Sequence, residues 1–232
     1  MNYLSEPEIE HRMERKYVTS LDQERHVEGI LALHPGIFRE HYPPRVINSL
    51  YFDSPNFHHF MENRDGESLR IKARIRWYGS MFGAIEKPAM ELKGKNGGAM
   101  WKERYRLAPF RFEQGFSKTS IDSALQLAQL PDKTMFDLKR LGPTLALQYR
   151  RKYYLSSCGR FRITIDSQML YVGVNQLTNS FLGIEQDRES LVIELKYGID
   201  DEEDAVQVAN GIPFRLSRNS KYVNGIAKVY VF

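Results

Sequence analysis

Residues Ser68–Gly79 read SLRIKARIRWYG, and the placing of Arg70, Lys72, Arg74 and Arg76 within them decides how the rest of the chain is understood. Side chains alternate between the two faces of a β-strand, so cations at every second residue stand in one row. Leu69, Ile71, Ala73, Ile75 and Trp77 fall on the other face, which is apolar throughout and reads as the side packed on a core. Same-face neighbours lie roughly 7 Å apart, so each adjacent cation pair repels by about 0.6 kcal/mol in water and about 2.4 kcal/mol at an effective dielectric of ~20. Facing solvent, such a row costs little. Facing an enclosed space, it calls for an anion, and the other strands decide between the two.

The chain has 232 residues, long enough for one large domain or two small ones, and its composition of 42% hydrophobic and 27% charged residues is that of an ordinary globular protein. A formal charge of +4 favours an anionic partner only mildly, so arrangement has to carry the argument. Cys158, the one cysteine, excludes an internal disulfide and a Cys-rich metal site, fits a reducing cytoplasm, and is expected as a small buried apolar residue. The N-terminus MNYLSEPEIEHRMERKY has no apolar core of a signal peptide, and no run reaches the ~20 apolar residues of a membrane span, so a soluble cytoplasmic protein is expected.

From Glu10 to Val18 the alternation returns, with Glu10, Arg12, Glu14 and Lys16 on one face. Ser20 with Gln23 predicts a capping box opening a helix through Val27, Ile30 and Leu31, and Pro35-Gly36 and Pro43-Pro44 predict a loop. Val46–Phe52 reads as a strand, and Ser54-Pro55 as the start of a short helix with Phe57, Phe60 and Met61 inward. His58 and His59 are adjacent and make a poor metal pair. Ala89–Lys95 places Glu91, Lys93 and Lys95 on one face, Asn96-Gly97-Gly98 signals a hairpin, and the return strand offers Lys102, Arg104 and Arg106. A helix is expected near Thr119–Leu130, followed by a segment broken by Pro131 and Gly142-Pro143. In Leu145–Leu155, Arg150 and Lys152 share one face and Arg151 and Tyr153 the other. Phe161–Met169 puts Arg162, Thr164 and Asp166 on a polar face, Leu191–Tyr197 does the same with Glu194 and Lys196, and Asp200–Ile212 reads as a helix with acids in its first turn. Ser217, Arg218, Ser220 and Lys221 fall in a loop or helix start.

Seven candidate strands thus pair an apolar face with one populated chiefly by Arg and Lys. Charged faces turned towards one another form a closed barrel with a cationic lumen, and the repulsion then demands a polyanion inside.

The ordered set ERKY at 14–17, LYFDS at 50–54, KARIRWYG at 72–79, ELKGK at 91–95, WKERYRL, QYRRKYY, RITID, VIELKY and SRNSKYVNGI resembles the VTC domain, the polyphosphate polymerase domain of the triphosphate tunnel metalloenzyme (CYTH-like) superfamily. The resemblance covers essentially residues 10–232. It implies an α+β fold, a closed antiparallel β-barrel tunnel of about eight strands with a cationic lumen and flanking helices, in a single domain over 1–232 with 1–9 as an N-terminal extension. It also implies transfer of the γ-phosphate of ATP to a growing inorganic polyphosphate chain, with Mn²⁺ or Mg²⁺ as cofactor. Carried over by motif, Lys16, Arg74, Arg76, Lys93, Arg150, Arg162 and Lys221 would act on the reacting phosphates, and Lys72, Arg104, Arg218 and Ser220 would help to bind them. Glu194, with Glu14 or Glu91, would hold the metal.

Those residue types suit the chemistry. Phosphoryl transfer is driven mainly by positioning and charge neutralisation, which Arg forks and Lys point charges supply. A hard divalent cation takes oxygen ligands, sharing itself between one or two carboxylates, water and substrate phosphates. The hydrolytic and cyclase branches of the superfamily begin with ExExK, whereas this chain has Arg12-x-Glu14-x-Lys16, a departure that favours transfer over hydrolysis. For Glu14, an ion pair with Lys or Arg stands beside the metal role. A triphosphate hydrolase on the same fold and a non-catalytic polyphosphate or nucleotide-binding module are the alternatives. Nucleic acid is not expected as a partner, because Trp77, Tyr105 and Tyr153 are not interleaved with the basic rows.

Overall fold

The computed structural model describes residues 8–9, 12–96, 99–116, 118–128 and 130–231. In chain order come β1 (Glu8–Ile9), β2 (Arg12–Ser20), α1 (Glu24–Leu33), β3 (Arg39–Asp53), α2 (His58–Asp65), β4 (Arg70–Tyr78), β5 (Gly83–Ile85), β6 (Ala89–Asn96), β7 (Ala99–Arg106) and β8 (Phe110–Phe112). Then follow α3 (Lys118–Leu127), α4 (Asp132–Lys139), β9 (Gly142–Leu155), β10 (Arg162–Val174), β11 (Phe181–Asp187), β12 (Ser190–Gly198), α5 (Glu202–Asn210) and α6 (Lys221–Val229). One large antiparallel sheet runs β1-β7-β6-β4-β3-β9-β10-β12-β2, with β11 added beside β10, and β5 pairs separately with β8.

Each face of this sheet has its own cover. On the outer face of one half, Ala73, Ile75 and Trp77 of β4 are buried with Met90, Phe110, Phe112, Ile121 and Leu125. On the outer face of the other half, Ile163, Ile165, Ile193 and Leu195 are buried under Val27 and Leu31 of α1 and Ala205 and Val208 of α5. The inner face is apolar at one end, where Tyr222 and Ile226 of α6 pack on Ile47, Leu145, Leu147, Tyr171 and Val192. Gly225 permits this approach, since a Cβ there would lie 2.5 Å from Leu145 and 2.6 Å from Tyr171. Asp53, at the end of β3, fixes the neighbourhood: it accepts the N–H groups of His59 and Phe60 at 2.9 and 2.8 Å and the hydroxyl of Tyr222.

The α+β class and the large antiparallel sheet are as expected, but the sheet does not close into a barrel. At Lys16 and Tyr17 the free edge of β2 is occupied by the segment before α6, through the Tyr17–Leu216 bridge and the Ser217 N–H donating to Lys16 O at 2.8 Å. β7 meets β1 instead, at Glu8↔Lys102 and Ile9↔Trp101.

Several local readings also change. Pro43-Pro44 lies inside β3, beyond its last pair with β4 at Ile47↔Tyr78, so a missing N–H costs no bond on that side. Ser20 precedes a short 3₁₀ turn, Leu21–Gln23, and its side chain makes no capping bond. α2 starts at His58 after Phe57 in a left-handed conformation (φ 55°), with Ser54 Oγ accepting from the His58 N–H, and Met61 is exposed. The segment after Pro131 forms α4, and the acid-led helix is α5 preceded by the 3₁₀ turn Ile199–Asp201. Cys158 is exposed, because it lies in the tight turn closed by Gly159 N–H to Ser156 O. Glu10, His11, Gly97 and Gly98 lie outside the described residues, although the strands flanking the hairpin pair from Asn96↔Ala99 to Ala89↔Arg106. Among the described residues no helix is long and apolar enough to cross a membrane.

Candidate functional site

A cavity of about 520 Å³ is lined by β2, β3, β4, β6, β7, β9, β10, β12 and the start of α6, so strands from both halves of the sheet face one another across it. Parity along each strand decides who enters. Lys72, Arg74 and Arg76 of β4 line the cavity, as do Lys93 and Lys102 from β6 and β7. Glu14, Lys16, Glu194 and Lys196 reach it from β2 and β12, whose register sets Lys16 beside Glu194 and Glu14 beside Lys196. Three of the four cations in the row that opened the sequence reading therefore face the cavity, whereas Arg70 lies outside its lining and donates to Glu67 O.

One wall is organised on Glu91. Its carboxylate accepts from Arg74 Nε and Nη2 at 3.0 and 2.8 Å, with Arg76 at 3.4 Å, while Arg74 Nη1 donates to the Tyr51 hydroxyl at 3.0 Å. Burial pushes Glu91 up, but Arg74 and Arg76 outweigh it and hold the carboxyl far below the usual carboxylate range.

The facing wall is organised on Asp166 and Glu194. Arg151 donates to Asp166 through Nε at 2.5 Å and Nη2 at 2.6 Å and reaches Glu194 at 3.3 Å. Lys221 bridges the same two carboxylates at 2.6 and 3.6 Å. Lys16 joins Glu14 at 2.7 Å and Glu194 at 3.6 Å, and Lys196 lies 3.2 Å from Glu194. Burial opposes ionisation of Glu194, yet Lys196, Lys221, Arg151 and Lys16 hold it well below its ordinary pKa; Asp166 is lowered likewise by Arg151 and Lys221. Lys16 and Lys221 are raised in return by these carboxylates, against the effect of burial.

Lys72 is different. It donates to Ser220 Oγ at 3.0 Å, and burial, reinforced by the charges of Lys16, Arg74, Arg70 and Lys93, brings its pKa down to about 7. On the lining residues Arg76 and Thr164, the buried Nε and Oγ1 atoms have no hydrogen-bond partner within the protein.

Of the residues singled out in the sequence, Lys16, Lys72, Arg74, Arg76, Lys93, Arg162, Lys221, Ser220, Glu14 and Glu194 line this cavity. Four do not. Arg150 points outward to Glu24 at 4.0 Å, with Lys152 beside it on Glu24 and Glu28 at 2.7 and 2.6 Å, and Arg151 takes the inner position. Arg104 reaches Glu91 at 4.0 Å from an exposed position, and Arg218 is exposed beside Gly66 at the end of α2. Glu91 lies behind the arginines it binds.

Sequence reasoning missed Arg151, Asp166 and Tyr149. In QYRRKYY both parities carry cations, so alternation cannot choose; the available signal was the apolar pair Leu145 and Leu147, which share the odd face with Tyr149 and Arg151 and were its continuation under α6. In β10 a bulge between Ser167 and Leu170, with Gln168 at φ 54°, shifts parity so that Asp166 and Tyr171 both point inward.

The donor set was weighed for a divalent ion. Among the described residues no group of three or more His, Cys, Asp or Glu side chains could hold one alone. Glu14 and Glu194 line the cavity and share Lys16, and could offer oxygens to a hard cation completed by phosphate oxygens and water, whereas Glu91 is outside the lining and held through Oε2 by Arg74 and Arg76.

Comparison of the sequence with curated proteins gives no match. Among solved structures, a candidate adenylyl cyclase from Hippeastrum with a dominant triphosphatase activity aligns over 94% of this chain and 98% of its own, at 14% identity and a TM-score of 0.54. A candidate adenylate cyclase from Vibrio parahaemolyticus aligns over 91% and 95%, at 13% identity and a TM-score of 0.51. At such identities the likeness is one of fold. A family model described as the VTC domain matches residues 11–230, a span that takes in every strand and helix lining the cavity, and the chain belongs to the VTC domain family.

Proposed function

We propose that the protein is a polyphosphate polymerase that transfers the γ-phosphate of ATP to a growing inorganic polyphosphate chain within this cavity. The observation that carries the reading is the inward row Lys72, Arg74 and Arg76, faced across about 520 Å³ by Lys16, Arg151 and Lys221. A cavity of that size suits a nucleotide-sized ligand, and its excess of positive charge suits a run of phosphates. Membership of the VTC domain family supports the same substrate class.

Arg74, Arg76, Lys93 and Arg162 would bind and align phosphates, and Arg151 and Lys221, held by Asp166 and Glu194, would neutralise charge as it shifts to the leaving oxygen. A divalent ion, Mn²⁺ or Mg²⁺, held by Glu194 and Glu14, would supply further neutralisation of the phosphate oxygens. Triphosphate hydrolysis is the second reading, favoured by the triphosphatase activity of the Hippeastrum neighbour. Incubation with ATP and Mn²⁺, with products resolved on a gel stained for polyphosphate, separates the two. Acid-labile chains longer than the triphosphate support transfer; free phosphate alone assigns hydrolysis. Polymer undiminished in both Glu194→Gln and Arg74→Ala would remove the site from the reaction.

A further inference from the structure

Lys72 and Ser220 are 148 positions apart in the chain and meet inside the cavity, Nζ to Oγ at 3.0 Å. Ser220 is the N-cap of α6, and its Oγ accepts the Val223 N–H at 3.4 Å, which fixes the side chain and leaves the hydroxyl hydrogen free to turn to Nζ. Two further contacts hold the segment in place: Lys16 Nζ donates to Asn219 O at 3.1 Å, and Lys221 is tied to Asp166 at 2.6 Å.

The lysines of the cavity are not equivalent. Lys16 and Lys221 are bonded to carboxylates and remain charged. The charges that act most strongly on Lys72 are cations, and burial together with Lys16, Arg74, Arg70 and Lys93 places its proton exchange at about 7. In the ligand-free protein near neutral pH an appreciable fraction therefore presents a free amine to a fixed serine hydroxyl, which is the arrangement of an activated nucleophile.

We propose that Ser220 accepts a phosphoryl group, with Lys72 as its general base. The inference rests on ATP being the phosphoryl donor at this site. Ser220 Oγ attacks the γ-phosphorus; the Oγ–P bond forms, the bond from that phosphorus to the β–γ bridging oxygen breaks, and ADP leaves with the electron pair. The hydroxyl proton passes to Lys72 Nζ. The resulting ammonium lies beside the new phosphate, and the phosphoserine is a covalently anchored first unit on which a chain can be extended.

The test uses the full chain, ATP and Mg²⁺, quenched in acid that cleaves phosphoanhydrides but spares phosphoserine, followed by peptide mapping and an ADP assay on the same mixture. One phosphate on Ser220 is expected, absent in Ser220→Ala. Lys72→Arg keeps the cation but cannot release its proton at neutral pH, so the rate of marking falls by about 100-fold or more. Marking at the wild-type rate in Lys72→Arg overturns the role of the base. An unmodified Ser220 with ATP consumed overturns the acceptor and leaves phosphotransfer standing; an unmodified Ser220 with ATP untouched overturns both.

Discussion

Asp166 and Arg151 stand opposite each other in the β9–β10 ladder, and the guanidinium grips the fully buried carboxylate with two parallel bonds of 2.5 and 2.6 Å. Breaking a buried pair from one side leaves the other charge stranded, at a cost of about 3–5 kcal/mol. Asp166→Asn removes the carboxylate that Arg151 and Lys221 share, leaving them only the longer contacts to Glu194 at 3.3 and 3.6 Å. Its unfolding free energy from urea titration should fall by that order, and an unchanged value would show that the pair is not a structural anchor.

The same carboxylates set the acid limit. Asp166 and Glu194 have folded pKa values below their unfolded ones, so the stability they contribute is present above the unfolded values and is lost as pH falls through the folded values. Wild type should lose stability progressively in acid below the ordinary carboxylate range. Glu194→Gln should show a shallower loss when Tm is followed against pH.

Lys72 has the opposite sign. Its folded pKa of about 7 lies below the unfolded value, so its penalty is full below pH 7 and fades as pH rises towards the ordinary lysine value. Lys72→Met should raise the Tm of the ligand-free protein at pH 6 by roughly 3–6 °C, equivalent to about 1–2 kcal/mol, since the side chain keeps some water contact. The gain should vanish in alkaline buffer; a gain independent of pH would point to packing instead.

Adjacent arginines on β9 should behave unlike each other. Arg151→Ala is expected to lower kcat for ATP turnover by about 100-fold or more, as for removal of one preorganised donor. Arg150→Ala, which loses outer interactions with Glu24 and Glu28, should change kcat by less than about twofold. Equal losses in the two variants would refute the assignment of the inner face.

Inorganic tripolyphosphate should stabilise the protein by offsetting the repulsion among Lys16, Lys72, Arg74 and Lys93. At a concentration ~100 times Kd the gain is about 2.7 kcal/mol, or some 5–10 °C in Tm. Thermal scans with and without the anion at fixed ionic strength measure it, with sulfate as the control for general charge screening.

Much of this architecture was legible because one physical rule, alternation along a strand, was strongly obeyed. In β4 every even residue from Lys72 to Arg76 lines the cavity, while Ala73, Ile75 and Trp77 are in the core. Alternation failed where it carried no information, at Arg150 and Arg151, and where a bulge reset it, after Ser167. The closed barrel was not legible either way, because what occupies the edge of β2 is a segment some two hundred residues along the chain, around Leu216 and Ser217. Asp166 was visible as a polar residue but not as an anchor, because its partners Arg151 and Lys221 come from β9 and α6.

Helix α6 closes the apolar end of the inner face with Tyr222 and Ile226 and, in the residues just before them, places Ser220 and Lys221 among the cations. Depth and terminal chemistry are thereby mounted on a single rigid part. A shift of the helix along its axis would move the stop and the last two polar groups together, so the distance between them is invariant. Tyr222 lines the cavity beside Ser220 and Lys221, so one short run of the chain supplies both the closed end and the polar groups that stand on it.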